Sequence, residues 1–301
     1  MASAATAPED GPAAGGVRLT IWGAGGSAPT GRAGRARFGG DTVCFEIRRE
    51  AQGAPPLIVD LGSAARDLGR RLKTEALESG RPTEAEILLS HLHLDHIMGA
   101  PFFAPFYDPA SRIRIRCGVS ADPAFARDTL MAFAGPPIFP IQPIHLSEPA
   151  WDVFRPGESF EAAGFQVTPV ALSHPGGCCG FRIETGEGAI CVIGDHEHGD
   201  PAIDAGVAAA VEGAAVMLYD AAYDDADYER HRGWGHSTWS VGGALAEAAG
   251  VGLTLFHHHP PELDDDALDA REAGARAVHP RARLARQGMS LRLTAGRAEV
   301  L

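Results

Sequence analysis

Histidine and aspartate side chains crowd into one short segment of this 301-residue chain, which reads His91-Leu92-His93-Leu94-Asp95-His96. Imidazole nitrogens and carboxylate oxygens are ligands that Zn, Mn and Fe prefer in proteins. A loop that alternates them with leucine can turn His91 and His93 one way and aim Asp95 and His96 at a neighbouring point. The segment therefore predicts a site for two metal ions, in preference to an exposed polar turn.

The elements before these residues read as β-strands. The segment EAEILLSH is apolar without interruption from Ile87 to Leu89, as expected of a strand that is covered on both faces. A predicted strand also precedes His174 in ALSHPGG, Asp195 in VIGDHEH and His257 in LTLFHHHP. Functional residues often follow the C-terminal end of a buried strand, because the rigid scaffold positions the loop there. The segment HLHLDH lies directly after such a strand and is therefore well placed for chemistry.

Strand-like and helix-like segments interleave from residue 17 onward, which predicts an α/β fold. Residues 17–301 contain no linker-like stretch and no repeat of fixed period, so a single domain is expected. Residues 1–16 are rich in Ala, Pro and Gly and are expected to form a flexible tail. Residues 101–150 are rich in Pro and Phe and predict an excursion over the core. Whether the Phe residues of 101–145 contact a substrate or only fill the core stays open.

The composition excludes several classes of protein. With 45% hydrophobic residues, the chain is not mainly disordered. Asp plus Glu number 39 against 26 Lys plus Arg, and the net charge of −13 disfavours a large nucleic-acid partner, whereas a small anionic substrate could still reach a bound cation. The five cysteines are scattered, the N-terminus lacks a signal-peptide pattern, and no apolar run approaches the ~18 residues of a membrane span. A cytoplasmic protein without membrane contact is expected, and a homodimer is among the open oligomeric states.

The segment HLHLDH resembles the HxHxDH motif of the metallo-β-lactamase superfamily, and the later histidine and aspartate segments follow in the order of that family. The resemblance implies a four-layer αβ/βα sandwich with two divalent metal ions per chain. Zn is the expected metal, with Mn or Fe as alternatives, and a hydroxide shared by the two ions would be the nucleophile. The implied ligands are His91, His93 and His174 for one ion, Asp95, His96 and His257 for the other, and Asp195 as the bridge.

A second resemblance concerns the segment GHST at 235–238, which is similar to an element of the tRNase Z and phosphoribosyl cyclic phosphodiesterase branch. It implies that His236 assists the leaving oxygen and that Asp220 orients His236, with Asp95 as a further catalytic residue. The alternative is that His236 is only a helix-capping or surface histidine. The stretch from Asp200 to Tyr219 lacks the basic arm of the tRNA-processing members, so a small, cyclic phosphodiester is the expected substrate.

Two other functions remain open at this point. The same superfamily hydrolyses carbon esters such as thioesters, lactones and β-lactams, and a non-hydrolytic metal protein is a more distant alternative. The chain also departs from its resemblance in two places, since it reads HHHP where HHDP is usual and GDHEH carries additional histidines. The resemblance therefore leaves open the roles of four histidines, which are His196, His198, His258 and His259.

Overall fold

Alternating apolar residues build the first strand, β1 (Val17–Gly23), as the sequence predicts. Val17, Leu19 and Ile21 are fully buried and belong to an apolar core that two β-sheets share. The computed structural model describes residues 16–50 and 53–301. The tail predicted for residues 1–16 thus lies outside the described residues, except for Gly16.

Two sheets contain the fifteen strands of the described ranges. In chain order, the strands are β1, β2 (Cys44–Arg49), β3 (Leu57–Val59), β4 (Glu84–Leu89), β5 (Arg112–Cys117), β6 (Ala150–Val153), β7 (Phe160–Ala162), β8 (Phe165–Leu172), β9 (Cys178–Glu184), β10 (Ala189–Ile193), β11 (Val216–Asp220), β12 (Leu253–His257), β13 (Ala282–Leu284), β14 (Ser290–Thr294) and β15 (Arg297–Val300).

The strand order places several C-terminal strand ends side by side. The first sheet has the order β15-β14-β1-β2-β3-β4-β5-β6, and the second has the order β13-β12-β11-β10-β9-β8-β7. Strands β3 to β6 are parallel to one another, and so are β10 to β13. The residues that follow β3, β4, β10, β11 and β12 therefore come from the same edge of their sheets.

Helices cover the outer faces of both sheets. They are α1 (Ala65–Ser79), α2 (Leu94–Ile97), α3 (Pro123–Phe133), α4 (Ile144–Ser147), α5 (Pro201–Val211), α6 (Asp225–His231), α7 (Trp239–Ala248) and α8 (Asp265–Val278). Short 3-10 turns lie at Ala33–Arg35, Ala100–Phe102 and Ala104–Tyr107. None of the helices in the described part of the chain is both long and apolar enough to cross a lipid bilayer.

Strand alternation divides the apolar residues among three layers of core. In β3, Leu57 and Val59 face the core between the sheets, and Ile58 faces a core that includes residues of α1 and α3. In β12, Leu255 faces the core between the sheets, and Phe256 faces a core with residues of α5, α7 and α8. The layers are helix, sheet, sheet and helix, which confirms the predicted four-layer sandwich.

The region from 101 to 150 differs from the predicted excursion. Its strand β5 pairs with β4 in the first sheet, and β6 follows at the edge. Phe103 and Phe106 are fully buried in the core with α1, whereas Phe102 is 53% exposed and contacts the ring of Phe139. This region thus extends the sheet, and two of its aromatic side chains, Phe103 and Phe106, fill the core.

Candidate metal centre

Ligand-type side chains from three chain segments converge on a first point at the sheet edge. His91, His93, His174 and Asp195 each place one ligand atom within 4.8 Å of all the others. His174 Nε2 lies 2.9 Å from His93 Nδ1, and both His174 Nε2 and His91 Nε2 lie 3.6 Å from Asp195 Oδ2. The geometry suits one metal ion held by three imidazoles and a carboxylate.

A second group shares Asp195 with the first. Its other members are Asp95, His96 and His258, again with ligand atoms within 4.8 Å of one another. His96 Nε2 lies 3.1 Å from Asp195 Oδ1, and His258 Nε2 lies 3.4 Å from Asp195 Oδ2 and 3.3 Å from Asp95 Oδ2. Asp195 contacts both groups, as a bridging carboxylate must.

Four buried polar atoms of these groups lack hydrogen-bond partners among the described residues. The unpartnered atoms are Nε2 of His91, His96 and His258, together with Oδ1 of Asp195. A buried polar atom without a partner is destabilising, and native proteins rarely keep several together. Divalent cations would satisfy all four atoms, so the donor set fits a two-metal site of nitrogen and oxygen ligands.

The structure corrects the sequence prediction at His257. This residue ends β12, pairs with Asp220 in the sheet, and packs its ring 5.2 Å from that of Phe45 in the core between the sheets. Its Nε2 donates to the carbonyl oxygen of Ile193 at 3.2 Å, and burial lowers its pKa to about 4. His258 takes the predicted place, because its positive φ of 64° turns the chain out of the strand.

We expect His258→Gln to lose about half of the bound metal, because one ion then lacks a ligand. The matched variant His257→Gln keeps a donor for the Ile193 carbonyl and should retain both ions. Metal content per folded chain, measured by elemental analysis after gel filtration, tests the pair. A larger metal loss in His257→Gln would restore the sequence-based assignment.

Asp60 orients a histidine of the second group, although the sequence analysis did not single it out. Its carboxylate accepts hydrogen bonds from the Ser90 amide, the Ser90 hydroxyl and His96 Nδ1, each at 2.8 Å. The bond to Nδ1 leaves Nε2 of His96 free to face the cluster, which is how buried carboxylates usually orient a metal-binding histidine. The available signal was an aspartate directly after β3, next to the strand that precedes His91.

The glycine-rich turn after β1 packs against the same group. A Cβ atom on Gly26 would lie 2.1 Å from Nδ1 of His258, so only glycine permits this approach. The next residue, Ser27, donates its amide to Asp95 Oδ2 at 2.8 Å. The turn thus holds two candidate ligands in place.

His236 and Asp220 come together beside the second group. His236 Nδ1 lies 2.8 Å from Asp220 Oδ2, and the His236 ring stacks on that of His258 with centroids 4.3 Å apart. Asp220 is fully buried at the end of β11, and it also accepts hydrogen bonds from the amides of His196 and Ala222. Asp220, His236 and His258 form a third cluster with ligand-type geometry. Thr238, two residues after His236, caps α7.

The remaining histidines of the motifs lie outside the metal groups. His196 directs Nε2 to Asp204 at 3.3 Å, and His198 directs Nδ1 to the Ser237 hydroxyl at 2.7 Å. His259 donates Nε2–H to the backbone carbonyl of residue 285 at 2.8 Å. Burial lowers the pKa of all three, most strongly for His259, to about 3.

Opposite charges overcome the effect of burial at the centre of the cluster. Burial by itself opposes ionisation of Asp195, yet the His258 and His96 rings hold the pKa of its carboxyl well below the usual range. Burial by itself lowers the pKa of the His96 and His258 rings, yet Asp195 raises the pKa of both well above that of an ordinary histidine. Burial and the neighbouring His96 lower the pKa of His91. Metal binding requires ionised carboxylates and neutral imidazoles, so bound cations would compete with protons for these rings.

Sequence and structure comparisons agree on the relatives of this chain. A family model described as the beta-lactamase superfamily domain matches residues 64–259. No curated protein matches the chain.

Three solved structures share the fold at low sequence identity. The metallo-beta-lactamase fold protein YhfI from Bacillus subtilis is 20% identical, with a TM-score of 0.67 and coverage of 91% of this chain and 98% of its own. A diphosphatase from the PhnP family is 17% identical, with a TM-score of 0.61 and coverage of 95% of this chain and 99% of its own. Human tRNase Z, short form, is 17% identical, with a TM-score of 0.59 and coverage of 91% and 98%. The family model spans more than half of the sequence and the solved structures share the fold, so the protein belongs to the beta-lactamase superfamily and has the metallo-β-lactamase fold.

Proposed function

We propose that the protein is a metal-dependent hydrolase of small, cyclic phosphodiesters. The observation that carries the proposal is the pair of His236 and Asp220, joined at 2.8 Å, beside two overlapping groups of metal-ligand type. A thioester hydrolase has little need for such a pair because a thiolate leaves readily, whereas a phosphodiesterase must assist an alkoxide that leaves poorly.

The chain's residues would hold two divalent ions, one in each group, with Asp195 common to both. His91, His93 and His174 complete the first group, and Asp95, His96 and His258 complete the second. Bound divalent ions would neutralise charge on the phosphoryl oxygens and activate water near neutral pH. The metals that such a set of nitrogen and oxygen donors accepts include Zn, Mn and Fe.

His236 would act on the leaving oxygen. Its Nδ1 is engaged by Asp220, so Nε2 is the ring nitrogen that can give a proton to a departing alkoxide. Asp220 cannot swing away, because two backbone amides also hold its carboxylate at 3.0 and 3.2 Å. The pair thus fixes the direction of the imidazole before substrate binds, which favours proton transfer in the transition state.

Charge and architecture favour a small substrate. The net charge of −13 repels a long polyanion, and no Lys or Arg lies between Asp200 and Tyr219, where α5 packs on the second sheet. Solved relatives include a diphosphatase and a tRNase Z, which supports the choice of phosphorus over carbon as the reacting centre.

A substrate panel tests the proposal. Purified protein loaded separately with Zn and Mn should hydrolyse bis-p-nitrophenyl phosphate and at least one ribose cyclic phosphate or cyclic nucleotide. A lactone and a thioester should react with a much lower kcat/KM. An Asp195→Asn preparation, purified identically, measures contaminating phosphatases. Faster turnover of the lactone or thioester than of every phosphodiester would instead assign the protein to carbon-ester hydrolysis.

A further inference from the structure

We infer that Glu197 is a positioning residue whose carboxylate fixes the loop 232–236 and, through that loop, orients both His236 and His174. The inference rests on the proposed function for the role of His236. It concerns a residue outside the metal groups, in the segment Asp195-His196-Glu197 that follows β10.

The carboxylate of Glu197 binds two amides of the loop. Oε1 accepts from the Gly233 amide at 2.7 Å, and Oε2 accepts from the Gly235 amide at 2.8 Å. Both glycines have left-handed φ angles, of 85° and 87°, so the two N–H groups turn toward the same acceptor. Glycine permits many other backbone conformations, and a specific one must be selected by such contacts. Among the described residues, Glu197 supplies the side-chain hydrogen bonds to the backbone amides of residues 233–235.

The same loop orients a candidate metal ligand. The carbonyl oxygen of Gly235 accepts from His174 Nδ1 at 2.7 Å, which leaves His174 Nε2 for the first metal group. A Cβ atom on Gly235 would lie 2.2 Å from His174 Nδ1, so loop and ring are in close contact. The next residue is His236. A single peptide segment therefore sets the direction of both imidazoles.

Glu197 is itself fixed relative to the metal groups. Its amide donates to the carbonyl oxygen of Ser173, the residue before His174, at 2.7 Å. It also lies two residues after Asp195. On the other side of His236, the Ser237 hydroxyl is held by His198 at 2.7 Å and by the Tyr219 hydroxyl at 3.0 Å. Glu197 supplies the matching restraint on the exposed side, where the Trp234 side chain is 62% exposed.

The variant Glu197→Gln tests this restraint with little change in shape. A glutamine side chain keeps one acceptor oxygen and turns an NH₂ group toward the second amide, so one hydrogen bond is lost. Trypsin cleavage after Arg232 should become about tenfold faster, because the loop opens more often. The affinity for Zn, measured by competition with a chelator, should fall about tenfold or more, as when a partner of a ligand histidine is removed.

Rates of hydrolysis test whether Glu197 acts through His236. In Glu197→Gln, hydrolysis of an alkyl phosphodiester should slow more than hydrolysis of a p-nitrophenyl phosphodiester, so the ratio of the two rates should fall. In the double variant, adding Glu197→Gln to His236→Ala should change that ratio little. Glu197→Asp is too short to reach both amides and should change cleavage and affinity in the same direction. The matched control is Glu187→Gln, because Glu187 also accepts a backbone amide, from Ala295 at 2.7 Å, in a turn outside the metal groups.

Trypsin cleavage, Zn affinity and hydrolysis rates can each contradict the inference. Unchanged trypsin cleavage and Zn affinity in both Glu197 variants would overturn it, whatever the substrate of the protein. Equal effects of Glu197→Gln with and without His236 would overturn the route through His236. A wild-type protein that hydrolyses no phosphodiester would contradict the proposed function, while the cleavage and affinity arms would still test Glu197.

Discussion

Asp195→Ala should lose most of the bound metal, and with it nearly all hydrolysis. Both oxygens of this fully buried carboxylate face candidate ligands, with Oδ1 near His96 and Oδ2 near His91, His174 and His258. Two divalent ions held by these groups would repel each other about four times as strongly as two unit charges at the same separation. Without the shared carboxylate, that repulsion has no compensation at the point between the ions.

The measurement is metal content per chain by elemental analysis, together with the rate of phosphodiester hydrolysis. Asp204→Ala is a suitable control, because Asp204 contacts His196 and neither residue belongs to a candidate metal group. The control should retain both ions. Full metal content in Asp195→Ala would reject the assignment of Asp195 as a bridge.

Strong local patterns made the centre of the fold predictable. Buried strands such as β4 and β10 are apolar almost throughout, and each leads directly into a ligand-bearing segment. The short edge strands β6, β7 and β15 have partly exposed or mixed residues and no such signal. Helix α5 was missed although Asp200 and Pro201 mark its start, with the Asp200 side chain capping two amides.

The errors at the site have tertiary causes. The run of three histidines after β12 does not reveal where the strand ends, and a shift of one residue exchanges the face to which a side chain points. His257 remains in the strand, and the turn begins at His258. Asp60 and Glu197 act on residues 30 and 36 or more positions away, through contacts that appear only when the sheets are assembled. The spacing of residues along the sequence does not predict such contacts.

His236→Ala should retain both metal ions and slow hydrolysis of a substrate with a poor leaving group by ~10²–10⁴, the usual effect of losing a positioned general acid. A sugar alkoxide leaves with nearly full negative charge unless a proton reaches it, whereas p-nitrophenolate leaves without one. The p-nitrophenyl diester should therefore be affected much less. Asp220→Asn should show the same pattern more weakly, because the imidazole remains but loses its charged partner.

The control for this prediction lies in the same part of the chain. His231 stacks on Tyr223 with ring centroids 4.7 Å apart and does not contact Asp220, so His231→Ala should leave the ratio between the two substrates unchanged. His236 also belongs to a cluster of ligand type with Asp220 and His258, which makes metal content the deciding measurement. If His236→Ala lost metal, or slowed both substrates equally, His236 would be a ligand or a structural residue, and the assignment to phosphodiester hydrolysis would lose its main support.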